Sequence, residues 1–334
     1  METVTVLGAG SWGTAIAKGL ADRGHKVHLW ARRPELALTI QGRRENTAYL
    51  PGLRLPDNLS ATSDLEQALA GSQGVYVVVP SHGLREVVQE ALPFLPDRGP
   101  IVTATKGIEN LTLQWMTRVL HEVLPPALHS RVCALGGPSF AKEVAAGMPS
   151  AVCLAAHDHD TAQLAQQQLA SERFRVYTTE DVVGVEIGGA LKNVMAIAAG
   201  AADGLGFGHN ARAALITRGL AEMARLATHL GAHPLTLAGL SGLGDLVLTC
   251  TGDLSRNRRV GLELARGKSL TEVLGDMHMV AEGVRTAKSA YELAQREQVD
   301  MPITTEVYLA LYEGKPPSEA VGSLLGRTLR PERD

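Results

Sequence analysis

The chain has 334 residues, 45% of them apolar and 20% charged, with a formal net charge of −3; this exceeds the roughly 250 to 300 residues at which single cores stop growing, so two domains are expected. The balance is that of a folded water-soluble protein and excludes a nucleic-acid binder, which would present a basic face. Cys133, Cys153 and Cys250 are odd in number and far apart, which excludes a disulfide framework and a C-x-x-C metal site and points to a reducing, cytoplasmic compartment.

Thr3 to Leu7 is a β-branched run, followed by Gly8-Ala9-Gly10-Ser11-Trp12-Gly13 and a helical pattern from Thr14 to Arg23. This is G-x-G-x-x-G between a strand and a helix, and a second strand, Lys26 to Trp30, completes the unit. Gly8 permits the tight turn, Gly10 lets the backbone reach a pyrophosphate, and Gly13 lets helix pack on strand, with the phosphate at the positive helix end. The motif in that context predicts dinucleotide binding. Met1-Glu2 runs straight into the first strand, so no secretory signal is expected. At the end of the second strand, where a carboxylate would hold a ribose 2′-hydroxyl, the chain reads Ala31-Arg32-Arg33, and no acidic residue precedes Glu35. Two guanidiniums there suit a 2′-phosphate and favour NADPH, with NADH as the second coenzyme.

Val75 to Val79 is a continuous apolar run of the kind buried in parallel sheets. It ends at Pro80-Ser81-His82, where Ser81 is expected to cap the helix carrying Leu84, Val87 and Val88. Ile101 to Ala104 ends in Thr105-Lys106-Gly107. Val132 to Leu135 ends in Gly136-Gly137-Pro138-Ser139-Phe140-Ala141, with a helix expected from near Pro138. Ligands of open α/β sheets lie beyond the carboxyl ends of the strands, which directs Lys106, Ser139 and the Gly137 amide towards a ligand. Two more strands, Ala151 to Ala155 and Arg175 to Thr178, extend the sheet. Between them His157-Asp158-His159-Asp160 reads as a solvated helix cap rather than a metal site.

From Asp181 to Asp203 the chain is apolar on nearly every side, and helical spacing puts Val185, Gly188, Gly189, Lys192, Met195 and Ala199 on one stripe. The length matches a membrane span, but Lys192 and Asn193 at its centre, in a bulk of alanine and glycine, argue for a buried hinge helix. Burying an ammonium is costly unless it is paired or does chemistry, which makes Lys192 the candidate catalytic group. Beyond it the patterns are helical: Asn210 to Leu230 after a glycine-rich joint, a loop from Gly239 to Gly244 leading to Asp245, then Val284 to Gln295, Thr304 to Tyr312 and Ser318 to Leu325, before a polar tail from Arg327 to Asp334. Another helix opens at Leu254-Ser255-Arg256-Asn257-Arg258-Arg259. Basic residues are unfavourable at a helix start, so Arg256 beside Ser255 and Asn257 fits an anion-binding terminus. The expected fold is α/β, with a Rossmann dinucleotide-binding domain over residues 1–180 and an all-α substrate-binding domain over 181–334.

Together these motifs resemble the bacterial-type NAD(P)-dependent glycerol-3-phosphate dehydrogenases. The likeness runs over nearly the whole chain, through GAGSWGTAIA, VVVPSH, ATKG, GGPSFAKE, GGALKNV, DGLGFGHNARAALITRGLAEM, GLGDLVLTC and LSRNRR. It implies reversible reduction of dihydroxyacetone phosphate to sn-glycerol 3-phosphate, supplying glycerophospholipid synthesis, in a cytoplasmic homodimer. It implies coenzyme contacts from Gly8, Gly10, Ser11, Trp12, Gly13, Arg32 and Arg33, joined by Lys106, Ala141, Arg256, Val280 and Glu282. It also implies a substrate site of Lys106, Gly137, Ser139, Lys192, Asp245, Ser255, Arg256 and Asn257, with Lys192 as the acid/base. Ser139 stands where threonine is also frequent in the family, and the Arg32-Arg33 pair is a variable position there.

The residues themselves argue the same chemistry. Hydride addition to a ketone puts negative charge on its oxygen, and a proton must arrive there. To serve as a base in reverse, Lys192 must titrate about three units below its ordinary value of roughly 10.4. Desolvation and repulsion from Lys106 or Arg256 push that way, and pairing with Asp245 opposes it, so Asp245 is expected chiefly to orient the site. Arg256, planar and at a helix start, suits a substrate phosphate, aided by Ser255 and Asn257. Two rivals lack a use for these groups. A β-hydroxyacid dehydrogenase or ketopantoate reductase acts on carboxylates and does not need Lys106 with Ser255-Arg256-Asn257, and a non-catalytic NADPH sensor has no role for Lys192.

Overall fold

The computed structural model describes residues 1–277, 280–329 and 331–332. The chain opens with β1 (Thr3–Leu7), which sends Val4 and Val6 to one face and Leu7 to the other, the two-sided burial of a central parallel strand. In order there follow α1 (Ser11–Asp22), β2 (Lys26–Trp30), α2 (Pro34–Arg43), a hairpin of β3 (Glu45–Asn46) and β4 (Leu50–Arg54), then β5 (Leu59–Thr62), α3 (Leu65–Leu69), β6 (Val75–Val77), α4 (Leu84–Ala91), β7 (Ile101–Thr103), α5 (Met116–Val123), β8 (Val132–Gly136), α6 (Ala141–Ala145), β9 (Ser150–Ala155), α7 (His159–Leu169) and β10 (Phe174–Thr179). All but the hairpin strands form one eight-stranded sheet in the order β10-β9-β8-β7-β6-β1-β2-β5. One face is covered through Ile16, Leu20 and Ala162, the other through Leu84, Val87, Val119 and Leu120.

Four local expectations need correction. The sheet is parallel only as far as β8: β9 pairs with it antiparallel, and β10 follows β9. The reason lies in α6, which packs beside α1 instead of crossing a sheet face, so β9 enters from the carboxyl end and runs back. The helix expected from Pro138 starts at Ala141, because Gly137 sits at φ +114°, the chain bends at Gly137 and Pro138, and Phe140 is extended. Ser81 does not cap the following helix; its hydroxyl points elsewhere. The stretch read as a loop, Gly239 to Gly244, is a widened helical turn over Leu240–Gly244 that runs directly into the next helix. Asp158 does cap α7, accepting from the Thr161 amide at 2.7 Å.

Beyond β10 the described elements are helical: α8 (Val182–Gly204), α9 (Gly208–His229), α10 (Pro234–Ala238), α11 (Asp245–Thr251), α12 (Arg256–Ala265), α13 (Leu270–Gly275), α14 (Glu282–Arg296), α15 (Pro302–Tyr312) and α16 (Pro317–Leu325). Asp181 caps α8, accepting from the Gly184 amide at 2.8 Å. By length and composition α8 would cross a membrane, but 94% of its apolar window is buried inside the protein, so it is the core helix of this half. The two halves interlock: Ile108 and Trp115, from the segment between β7 and α5, belong to the core around α8 and α14. The buried carboxylate of Glu186 on α8 accepts from the Thr117 amide at 2.9 Å, capping α5 across the boundary.

α8 and α12 touch backbone to backbone. A Cβ on Gly261 would lie 1.8 Å from the Ile197 carbonyl oxygen, and one on Gly200 would lie 1.8 Å from that of Arg258. Alanine in a helix ordinarily improves on glycine by about 0.5 to 1 kcal/mol. Here the clash is with backbone, which cannot swing aside, so Gly261→Ala is expected to destabilise by about 3 kcal/mol or more. Gly42→Ala in α2, where a Cβ meets nothing within 4 Å, is the control and should be neutral or stabilising. Denaturant unfolding of both variants checks this, and equal midpoints would sink the close-packing account.

Candidate active site

In the glycine loop after β1, the packing expected of Gly8 and Gly13 is present. Gly8, at φ +120°, passes under β6, where a Cβ would lie 2.3 Å from the Val78 carbonyl oxygen. A Cβ on Gly13 would lie 1.8 Å from the Gly8 carbonyl oxygen, whereas one on Gly10 would meet nothing within 4 Å. The chain thus demands glycine at the first and third positions for its own packing and leaves the second open to a ligand. No side chain caps α1, which begins at this loop. The Trp12 indole N–H beside it is buried without a partner among the described residues, a loss of about 1 to 3 kcal/mol if it stays unmet. A helix start without a side-chain cap, an open backbone approach and an unmet donor fit a dinucleotide.

Around the loop, Asn46 donates to the Ala9 carbonyl at 2.9 Å and to Thr14 Oγ1 at 2.8 Å. Ser11 Oγ donates to the Tyr49 carbonyl at 2.7 Å. Arg32 and Arg33 are exposed at the end of β2, and Arg33 Nη2 donates to Tyr49 Oη at 3.1 Å with its guanidinium 5.8 Å from the ring centroid. Ala141, at the start of α6, packs with Trp12 and Leu50.

A second group of residues is a cluster of charge. Lys192 projects from the middle of α8, Lys106 from beyond β7, and Asp245 from the first turn of α11. The Asp245 carboxylate is fully buried; Oδ1 accepts from Lys192 Nζ at 2.6 Å and Oδ2 from Lys106 Nζ at 2.7 Å. Lys192 also donates to Thr249 Oγ1 at 2.9 Å, and Lys106 to the Gly137 carbonyl at 3.1 Å. Burial drives the Lys192 ammonium down; the Asp245 carboxylate opposes this and Lys106 adds to it, and the balance is about 8. For Asp245, burial pushes up, but the Lys106 and Lys192 charges overcome it and hold the carboxyl below its ordinary range. Two cations on one anion leave a local surplus of positive charge.

The third part is the start of α12. Ser255 caps it, accepting from the Arg258 amide at 3.2 Å. Arg256 makes no hydrogen bond or ion pair with any described residue, although Glu282 lies within electrostatic reach. Asn257 differs from expectation, because its side-chain amide is spent inside the protein: Nδ2 donates to Asn193 Oδ1 at 2.8 Å and Oδ1 accepts from the Gly283 amide at 2.9 Å. Its side chain ties α12 to α8 and α14, leaving its main-chain N–H for a ligand. Ser139 Oγ likewise donates to the Gly137 carbonyl, at 3.0 Å. Glu282, at the start of α14, accepts from Ser81 Oγ at 2.8 Å and joins the two halves; burial raises its carboxyl. Val280, just before it, is 42% exposed.

Lys106, Lys192 and Asp245 therefore form one bonded cluster, Ser255, Arg256 and Asn257 one helix start, and the glycines with Arg32 and Arg33 a separate cradle. Sequence reading missed Thr249 and Tyr49. Thr249 was recoverable, since it stands four residues after Asp245 on the same helix face. Tyr49 lies in a hairpin with no motif to mark it.

Two family descriptions match the chain: the NAD-dependent glycerol-3-phosphate dehydrogenase N-terminus over residues 3–162 and the C-terminus of the same enzyme over residues 181–322. A glycerol-3-phosphate dehydrogenase, NAD(P)+, from Geobacter sp. (strain M21) is 54% identical over 331 residues, covering 99% of each chain, and one from Myxococcus xanthus is 53% identical over 98% of each. The crystal structure of glycerol-3-phosphate dehydrogenase from Coxiella burnetii superposes with a TM-score of 0.92 at 42% identity, covering 98% of this chain and 99% of that one. With a glycine loop of the dinucleotide-binding form, a bonded Lys106–Asp245–Lys192 cluster and this likeness along nearly its full length, the chain belongs to the NAD-dependent glycerol-3-phosphate dehydrogenase family.

Proposed function

We propose that this chain reduces dihydroxyacetone phosphate to sn-glycerol 3-phosphate, reversibly, with Lys192 as the proton donor. The observation that carries the reading is the buried Lys192 ammonium, held at 2.6 Å by Asp245 and titrating at about 8, where it can give up a proton near neutrality. Bound along the glycine loop, NADPH would supply the hydride. Lys192 hands its proton to the carbonyl oxygen as negative charge develops there, and the second ammonium, Lys106, stabilises the same oxygen. Asp245 keeps both cations in place and balances the charge when Lys192 becomes neutral. Arg256 and the first-turn amides of α12 take the substrate phosphate, with Ser255 fixing the turn; Gly137, bonded to Lys106 and Ser139, adds to the substrate site. In the oxidation direction neutral Lys192 accepts the proton of the glycerol hydroxyl.

The coenzyme half in this reading is residues 1–180 and the substrate half 181–334, supported by the end of β10 at Thr179 and the start of α8 at Val182. Trp12, Ala141, Val280 and Glu282 border the coenzyme. A homodimer, a cytoplasmic setting and supply of glycerophospholipid synthesis belong to the same proposal.

The test is coenzyme oxidation followed by absorbance, with dihydroxyacetone phosphate, unphosphorylated dihydroxyacetone and ketopantoate, each with NADPH and with NADH. Turnover of the phosphorylated ketone alone is expected, with NADPH preferred. Arg32→Ala combined with Arg33→Ala should raise KM for NADPH by tenfold to a hundredfold while changing that for NADH less than threefold, since each lost charge-assisted contact is worth about 1.5 to 3 kcal/mol. Equal losses with both coenzymes would remove the 2′-phosphate role. Binding of NADPH without consumption of any substrate would leave a sensor as the better account.

A further inference from the structure

Asp203, near the end of α8, holds two guanidiniums from two other helices. Its side chain is only 7% exposed. Oδ1 accepts from Arg212 of α9, at 2.8 Å from Nε and 2.5 Å from Nη2. Oδ2 accepts from Arg258 of α12, at 2.7 Å from Nε and 2.7 Å from Nη2. Each guanidinium sets two nitrogens on one carboxylate oxygen, so the two arginines divide the carboxylate between them.

Arg258 is the third residue of α12, and it is held at both ends. Its amide donates to Ser255 Oγ at 3.2 Å, and its side chain is gripped by Asp203. Beneath it the backbones of the two helices touch at Gly200, and the next residue towards the helix start, Asn257, is bonded to Asn193 of α8. Among the described residues the side chains of Arg256 and of the exposed Arg259 make no bond, while Asn257 and Arg258, which follow Arg256 directly, are anchored to the helix that carries Lys192.

We propose that Asp203 is a positioning residue for substrate: through Arg258 it sets the first turn of α12 and thereby the aim of Arg256 at the phosphate. This rests on the reading of Arg256 as the phosphate clamp. Asp203→Asn keeps the shape but gives up the charge and one of the two acceptor atoms, so the turn loses its buried ionic anchor and Arg258 keeps only the exposed Asp253, at 3.1 Å, as a charged partner.

The experiment is steady-state kinetics of Asp203→Asn, Arg258→Gln and Arg212→Gln, together with Arg256→Ala and the Arg256→Ala/Asp203→Asn pair, with thermal melts of each. Asp203→Asn and Arg258→Gln are expected to raise KM for dihydroxyacetone phosphate roughly tenfold, the scale of one misaimed charge-assisted contact. Turnover number and KM for NADPH should stay within about threefold, and Asp203→Glu should recover part of the loss. Arg212→Gln breaks the pair that does not reach α12; it should lower the melting temperature and leave that KM unchanged. Adding Asp203→Asn to Arg256→Ala should raise KM no further, because both act on one contact. Multiplying effects in the pair, an equal KM rise from Arg212→Gln, or a fall in turnover number matching the rise in KM would each overturn the proposal. If Asp203→Asn does not fold, Arg258→Gln decides. An Arg256→Ala enzyme with unaltered KM would show that the clamp reading itself is wrong, whereas a raised KM there beside an unaltered one in Asp203→Asn and Arg258→Gln would remove the positioning role alone.

Discussion

Lys192→Ala is expected to lower turnover of dihydroxyacetone phosphate about a thousandfold, while substrate KM moves less than threefold. A positioned general acid contributes about a hundredfold to ten-thousandfold, and an electrostatic donor at a developing oxyanion about a hundredfold to a thousandfold, so losing a group with both duties belongs at this scale. Binding should survive, because Lys106 and Asp245 remain a 2.7 Å pair and the α12 start is untouched. The pH dependence carries the sign of the chemistry. Reduction needs the ammonium and should fall as pH rises through about 8; oxidation needs the neutral amine and should rise through the same value. Asp245→Asn removes the charge that opposes the downward shift, so both profiles should move to lower pH. The same depressed value affects stability: the ammonium costs stability below about 8, and the cost is relieved as pH climbs towards the ordinary lysine range. Rapid-quench or steady-state rates across pH, in both directions, decide the matter. A mainly raised KM, or profiles unchanged by Asp245→Asn, would exclude Lys192 as the proton donor.

Arg256→Ala is expected to cut kcat/KM for dihydroxyacetone phosphate by about a hundredfold, chiefly through KM. A charge-assisted guanidinium–phosphate contact is worth about 1.5 to 3 kcal/mol, and a hundredfold is about 2.8 kcal/mol. The cleft would keep the surplus charge of Lys106 and Lys192 and the α12 amides, so binding is weakened rather than abolished. Arg256→Lys should recover only part of the loss, since an ammonium cannot make the planar two-pronged contact. Added salt should weaken substrate binding to the wild type more than to the alanine variant, by screening. The comparison that decides is inhibition by inorganic phosphate and by unphosphorylated glycerol: Arg256→Ala should weaken the first and leave the second alone. Equal weakening of both would assign Arg256 to the fold and not to the phosphate.

Much of this protein is readable one residue at a time. Gly8 and Gly13 are required by the turn they make, Asp158 caps the helix that follows it, and Lys192 is conspicuous because an unshielded lysine does not belong in an apolar helix. Each of these follows from chemistry within a few residues, and so do strand β1, strand β2 and the span of α8, where periodicity and composition act locally. The division into an α/β half and a helical half follows from the same periodicities.

What the chain does not show locally is who meets whom. Ser81 offered itself as a cap, but its partner is Glu282, 201 positions away. Asn257 stands beside Arg256, yet its amide is consumed by Asn193 and Gly283. The reversal of β9 depended on α6 finding α1, and the balance that leaves Lys192 at about 8 depends on Asp245 lying 53 positions on while reaching Lys106 as well. By itself the sequence determined the glycine turn at Gly8 and Gly13, the cap at Asp158, the periodicities and the residue types that chemistry requires, because those depend on neighbours along the chain. Only the tertiary structure decided the pairing of buried charges and amides, because desolvated polar groups take whichever partner the packing of distant helices brings within about 3 Å.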